Sequence, residues 1–206
     1  MKNVMLIGYM GAGKTSVGKV LARKIGMQFY DLDWYIEERY RKKICEIFAE
    51  KGEDGFRSIE RCMLHEVAEF EGVVLALGGG TPCFFDNMDY LKQCGTTVFL
   101  DASPETIARH LAISHTVRPL LKDKQGDELL SFISKQIEQR IPFYSKAQYT
   151  VDVNILDSFS KIDTLVESII KLIEENFLKH LSLLAHLRAS GVTNYLFKIQ
   201  KWQNGE

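Results

Sequence analysis

The stretch from Val4 to Thr15, Val-Met-Leu-Ile-Gly-Tyr-Met-Gly-Ala-Gly-Lys-Thr, constrains this chain more than any other. Val4 to Ile7 is a short apolar run, suited to a strand buried on both faces of a parallel sheet. Gly8, four further residues and then Gly13-Lys14-Thr15 give the spacing G-x-x-x-x-G-K-[ST]. Glycines admit backbone angles closed to other residues, so consecutive N–H groups can turn inward as an anion nest. A helix beginning near Gly13 adds its positive dipole end to the same spot. Lys14 can reach the β- and γ-phosphates of a nucleotide, and the Thr15 hydroxyl can ligate Mg²⁺. Gly11, Ala12, Gly13, Lys14, Thr15 and Ser16 are therefore the candidate nucleotide-binding residues. The bland alternative is a glycine-rich strand-to-helix turn with no ligand. The position of the pattern, after a strand and before an amphipathic helix, favours the nucleotide.

The rest of the chain repeats the alternation of strand and helix. Val17, Val20, Leu21 and Ile25 recur at helical spacing, with Gly26 as the stop. Met27 to Tyr30 reads as a second strand running into Asp31-Leu32-Asp33. Residues 34–50 read as one or two helices, with Ile36, Tyr40, Ile44, Ile47 and Phe48 on the buried side. Gly52 to Gly55 breaks the pattern before a helix from about Phe56 to Phe70. Val73 to Leu77 is a wholly apolar strand that ends in Gly78-Gly79-Gly80. A helix near Met88 to Cys94 and a strand from Thr97 to Leu100 follow, then a helix capped by Ser103 and opened by Pro104. Residues 115–127, with Arg118, Lys122 and Lys124, are too polar for core and too long for an ordinary connector, so they read as a lid. A helix from about Glu128 to Tyr144, a strand near Tyr149 to Val153 and a helix from about Lys161 to Glu175 complete the series. Such alternation indicates a parallel sheet covered by helices on both faces. Beyond Asn176 the chain holds Leu178, Leu181, Leu183, Leu184, Tyr195, Phe197 and Trp202, too apolar for a solvated tail.

Composition excludes more than it identifies. Apolar residues make up 46% and charged residues 26%, ordinary for a globular protein. The net charge of −1 gives no global basic field for a nucleic-acid partner. No apolar run approaches the length of a membrane span, and Met1-Lys2-Asn3 leads into the first strand without a secretory leader, so a cytoplasmic protein is expected. Cys45, Cys62, Cys83 and Cys94 show no C-x-x-C spacing and are expected to be reduced, most of them packed as small apolar groups. The histidines have no metal-ligand spacing, so no metal is expected beyond a nucleotide's own Mg²⁺.

In open parallel sheets ligands bind beyond the carboxyl ends of the strands. Asp31 and Asp33 stand there, and strand alternation would point both the same way with Leu32 toward the core. One carboxylate could hold the metal's water shell while the other accepts or orients a substrate hydroxyl. The competing reading is that Asp33 caps the helix starting at Trp34. Gly78 to Gly80 offers backbone N–H groups without side chains, so a ligand can approach closely. Arg118 precedes a proline in the lid. Arg57 and Arg140 sit among apolar neighbours, where a guanidinium serves as a bidentate anion clamp.

Taken in order, these motifs resemble the shikimate kinase family over roughly residues 1–176. They are Gly-Tyr-Met-Gly-Ala-Gly-Lys-Thr at 8–15, Asp-Leu-Asp at 31–33, Gly-Glu-Asp-Gly-Phe-Arg at 52–57, Leu-Gly-Gly-Gly at 77–80, Arg-Pro-Leu-Leu at 118–121 and Arg-Ile-Pro-Phe-Tyr at 140–144. The resemblance implies a three-layer α/β/α P-loop fold, with a five-stranded parallel sheet in order 2-3-1-4-5 and a mobile lid at about 114–127. It implies Mg²⁺-dependent transfer of the ATP γ-phosphoryl group to the 3-hydroxyl of shikimate. Carried over by position, Asp33 serves the shikimate hydroxyls, Arg57 and Arg140 grip the carboxylate, and Gly79 and Gly80 line the pocket. Arg118 closes onto the phosphates, with Lys14, while Thr15 and, through water, Asp31 serve the metal.

The family often places an arginine or lysine near 109–111 against adenine; here Arg109 is available, and Leu111 holds the aligned position. The segment 177–206 has no counterpart in the family's compact domain and is expected to be a helical extension. A monomer is expected, with self-association through that segment as the alternative. Three rival readings stay in view. A gluconate kinase of the same fold would leave the two arginines without a purpose. A regulatory nucleotide-binding protein would be expected to have lost Lys14, Asp33 or Arg118. A GTP switch would carry an N-K-x-D motif, which this sequence lacks.

Overall fold

The computed structural model describes residues 2–113, 124–156 and 161–175. Arg118, most of the expected lid and the extension 177–206 lie outside the described residues. The chain divides into two compact units, Met1–Val166 and Glu167–Glu206, and the sheet and site belong to the first.

Five strands, β1 (Asn3–Ile7), β2 (Gln28–Asp31), β3 (Val73–Ala76), β4 (Gly95–Asp101) and β5 (Tyr149–Asp152), form one sheet in the order β2-β3-β1-β4-β5. Every neighbouring pair is parallel. This is the order expected from the family resemblance. All residues of β1 and β3 are buried, so helices cover both faces of the central strands. Val4, Met5, Leu6 and Ile7 are fully buried, and each such side chain contributes about 1.5–3 kcal/mol of hydrophobic stabilisation. The edge strands β2 and β5 are partly exposed, as an edge permits.

The helices are α1 (Lys14–Ile25), α2 (Leu32–Tyr40), α3 (Ile44–Ala68), α4 (Asn87–Cys94), α5 (Pro104–Ile113) and α6 (Gly126–Tyr144). A 3₁₀ turn spans Thr81–Cys83, and residues 161–175 are helical. Gly26 ends α1 in the left-handed conformation, and the Ser103 hydroxyl accepts from the Thr106 N–H at the start of α5. Both were expected.

Four expectations are corrected. The expected break is present but confined to Gly52 (φ 67°, ψ −176°), where two helical stretches of α3 meet across a kink; residues 53–55 are already helical. Asp33 does not continue β2; it lies in the first turn of α2, so strand alternation does not set its direction. Tyr40 is 40% exposed at the end of α2, where the helix has run past the core. None of the four cysteines is buried: Cys45 and Cys62 are exposed, Cys83 and Cys94 half-buried, and all are free thiols.

Candidate active site

The phosphate loop departs from the end of β1 and returns as α1. Gly8 has φ 148°, and a Cβ there would fall 2.7 Å from the Leu100 carbonyl oxygen of β4, so only glycine fits. Gly13, at φ 89°, opens α1 without a side-chain cap, which leaves the dipole's positive end to an anion. Lys14 is buried, and its Nζ donates to the Gly8 and Tyr9 carbonyl oxygens at 2.8 and 2.9 Å. The loop thus binds its own cation through two of its carbonyl oxygens.

Beside it, Thr15 Oγ1 donates to Asp31 Oδ2 at 2.8 Å. The other Asp31 oxygen accepts from the Asp33 N–H at 3.1 Å and the Trp34 N–H at 3.5 Å. Asp31, not Asp33, is therefore the cap of α2. The capping role that competed for Asp33 is filled, and its carboxylate turns to the glycine run that follows β3. Its Oδ1 lies 2.9 Å from where a Gly78 Cβ would be, next to Glu60 Oε1 and Thr81 Oγ1.

That glycine run is the floor against which the expected clamp is built. A Cβ on Gly80 would meet Arg57 Nη2 at 2.8 Å and Nη1 at 2.9 Å. One on Gly79 would meet Arg140 Nη1 at 3.3 Å and the Met10 backbone nitrogen of the phosphate loop at 3.2 Å. Three glycines in succession let two guanidiniums, a carboxylate and the phosphate loop approach one short segment. The structure brings Asp33, Arg57, Gly79, Gly80 and Arg140 together as expected.

Each arginine is held in place before any ligand arrives. Arg57 Nη1 donates to Glu60 Oε2 at 2.8 Å, and Nη2 donates to Glu53 Oε1 at 3.3 Å. Its guanidinium carbon lies 4.0 Å from the centre of the Phe84 ring and 5.3 Å from that of Phe56, an aromatic surround that favours the cation. The buried Arg57 Nε has no protein partner. Arg140 Nη2 donates to Gln136 Oε1 at 3.1 Å, and its guanidinium lies 5.1 Å from the Tyr9 ring. Fixed guanidiniums lose less rotamer entropy on meeting an anion.

Sequence reasoning missed three residues that support this arrangement. Glu60 is 1% exposed; it ties Arg57 to Thr81, whose hydroxyl donates to Glu60 Oε1 at 2.5 Å. A signal was available, because Glu60 falls on the same stripe of α3 as Phe56, Met63, Leu64 and Val67. A carboxylate on an apolar stripe, three residues after an arginine, points to a buried pair. Thr81 gave no signal of its own. Tyr144, fully buried at the end of α6, donates to the Gly79 carbonyl oxygen at 2.5 Å and fixes that peptide. Burial also pushes the Tyr144 hydroxyl's pKa well up, so it remains a donor. Half-buried Cys83 follows the glycine run. Burial pushes its thiol up to about 11, although Arg140 and Arg57 act in the opposite sense.

The two residues expected near adenine have other partners. Leu111 packs against Gly11, with its Cγ 3.3 Å from a Cβ position there. Arg109 Nη2 donates to the Asn154 carbonyl oxygen at 3.3 Å and to Thr106 Oγ1 at 3.4 Å.

Comparison with known proteins agrees with this geometry. A family model described as Shikimate kinase matches residues 10–174. A shikimate kinase from Phocaeicola vulgatus is 52% identical over 171 residues, covering 83% of this chain and 98% of the relative. The crystal structure of shikimate kinase from Bacteroides thetaiotaomicron superposes with a TM-score of 0.82 at 50% identity, over 84% of this chain and 98% of that one. Shikimate kinase from Acinetobacter baumannii in complex with shikimate matches with a TM-score of 0.76 at 34% identity, over 85% and 94% of the two chains. This chain belongs to the shikimate kinase family and is an ATP-dependent kinase.

Proposed function

We propose that this chain transfers the γ-phosphoryl group of ATP to the 3-hydroxyl of shikimate, for chorismate and aromatic amino-acid biosynthesis. The observation that carries this reading is the convergence of Asp33, Arg57 and Arg140 on Gly78–Gly80, one residue's width from the phosphate loop. Two guanidiniums match a carboxylate on the acceptor. An acceptor so held places a ring hydroxyl between Asp33 and the nucleotide's terminal phosphate. Asp33 orients that hydroxyl and accepts its proton as oxygen attacks phosphorus and the bond to ADP breaks. Lys14 neutralises charge on the transferring group, and positioning supplies much of the remaining catalysis.

Thr15 Oγ1 and Asp31 Oδ2, a hydroxyl and a carboxylate 2.8 Å apart beside the nest, suit Mg²⁺, which prefers oxygen donors and keeps several waters. Thr15 would ligate the ion directly and Asp31 through water; when bound, Mg²⁺ supplies charge neutralisation at the β- and γ-phosphates. The family resemblance assigns Arg118, which lies outside the described residues, to the phosphates, where a guanidinium would help to exclude water. Residues 1–176 form the kinase domain in this reading, 177–206 an extension, and the protein is a cytoplasmic monomer.

The test is ADP release from Mg-ATP by purified protein with and without shikimate. Strong dependence on shikimate is expected. ATP binding without shikimate-dependent turnover would overturn the acceptor and send the search to other hydroxy acids.

A further inference from the structure

His110, on α5, enters none of these steps, yet both its ring nitrogens are engaged. Nδ1 lies 2.8 Å from the Gly11 carbonyl oxygen in the phosphate loop, and Nε2 lies 2.7 Å from the Leu156 carbonyl oxygen. Carbonyl oxygens only accept, so a ring nitrogen bonds one of them only where it carries the proton. A neutral imidazole donates to one at a time and an imidazolium to both.

Apolar packing converges on the same place. A Cβ on Gly11 would sit 3.3 Å from Leu111 Cγ and 3.5 Å from Ile107 Cγ2, both on α5. One on Gly13 would sit 3.3 Å from Leu156 Cδ1. The segment around Leu156 is itself tied to α5, since Asn154 Oδ1 accepts from the Ser103 N–H at 2.7 Å and the Asn154 carbonyl accepts from Arg109. The arc from Gly11 to Gly13 is therefore held between α5 and residues 153–156, with His110 as a polar tie to the loop backbone.

The consequence follows from the planarity of the peptide. The Gly11 carbonyl and the Ala12 N–H belong to one rigid plane and point in opposite directions. His110 engages the carbonyl, while the Ala12 N–H donates to the Tyr9 carbonyl oxygen at 3.1 Å. The plane is thus fixed from both edges. Without the histidine only the Ala12 N–H ties the plane, and rotation permitted by the preceding glycine would turn a carbonyl dipole toward the phosphates.

We propose that His110 is a positioning residue for ATP, which holds the Gly11–Ala12 peptide and hence the anion nest in its binding orientation. This rests on the reading of the loop as the ATP site. The test compares wild type with His110→Phe, His110→Asn and His110→Gln, through the KM values for ATP and shikimate, kcat, ATP binding by calorimetry, and Tm. In the phenylalanine variant the KM for ATP rises about tenfold, the scale of one lost hydrogen bond, with the KM for shikimate within about twofold of wild type. An asparagine amide nitrogen falls near the Nδ1 position and a glutamine one near Nε2. His110→Asn therefore retains more ATP affinity than His110→Gln at comparable Tm, a difference that a merely structural role would not produce. ATP affinity near wild type in all three variants, or equal losses in Asn and Gln, would overturn the assignment. Should the phenylalanine variant not fold, the Asn and Gln pair decides alone. Wild type that binds no ATP would sink the reading of the loop itself; wild type that binds, with indifferent variants, sinks only the role of His110.

Discussion

The two halves of the site recognise charge by different means. The phosphate half is continuous in sequence, from Gly8 to Thr15, and works through backbone geometry. Its one cation is folded onto the loop's own carbonyls. The acceptor half is assembled from α2, α3, the glycine run and α6, and works through side-chain charge. Its cations are held by side chains of their own helices, Arg57 by Glu60 and Glu53, Arg140 by Gln136. A nest of N–H groups suits a nucleotide phosphate of any identity. A rigid pair of guanidiniums would select one shape of anion, so the proposed roles put specificity in the acceptor half.

The largest effects are expected where the halves meet the reacting atoms. Lys14→Ala removes charge that neutralises the transferring group and lowers kcat by roughly a hundred- to a thousandfold. Asp33→Ala should act as severely on turnover while leaving ATP binding close to wild type. Steady-state kinetics beside calorimetry separates the two, and wild-type-like turnover in Asp33→Ala would remove it from the chemistry.

The next effect is on binding and should respect the division. Arg57→Ala weakens shikimate by about 2–5 kcal/mol, with ATP affinity little changed, because a buried partner is left without its counter-charge. Equal losses for both ligands would show that the halves are not separable. Gly79→Ala is the substitution expected to cross the boundary. Its Cβ would crowd Arg140 Nη1 at 3.3 Å and the Met10 nitrogen at 3.2 Å, so both KM values should rise together. A change confined to shikimate would place the phosphate loop out of Gly79's reach.

The same division decides what could be seen in the sequence. The phosphate loop was fully legible, because all of its determinants are local and its spacing follows from the backbone geometry. The parallel sheet was legible from its wholly apolar strands, while its order followed from the family resemblance. Arg57 and Arg140 could be nominated, but only the fold sets them on adjacent glycines. Asp31 and Asp33 were assigned a shared strand direction that the start of α2 at Leu32 abolishes. Thr81 and Tyr144 act through a hydroxyl to a partner 21 and 65 positions away, which no local pattern reports. Glu60 was readable and was missed.

The smallest effect tests the burial of the acceptor half. Cys83 follows the glycine run, and removal of its thiol from water raises its pKa from an ordinary 9.0 to about 11, against the pull of both arginines. The thiolate is the reactive form, so Cys83 should be nearly inert at pH 8. Exposed Cys45 and Cys62 should then alkylate first with iodoacetamide, in the native protein, by peptide mass analysis. The same shift bears on stability with a defined sign. The folded state keeps the thiol proton up to about 11, whereas the unfolded chain releases it near 9.0. The contribution is therefore fully present below about pH 9 and fades as pH rises toward 11, a decline that Cys83→Ala should lessen. Fast labelling of Cys83 at pH 8 would mean that the arginines outweigh burial, and that a thiolate stands in the acceptor pocket in competition with the substrate's carboxylate for the clamp.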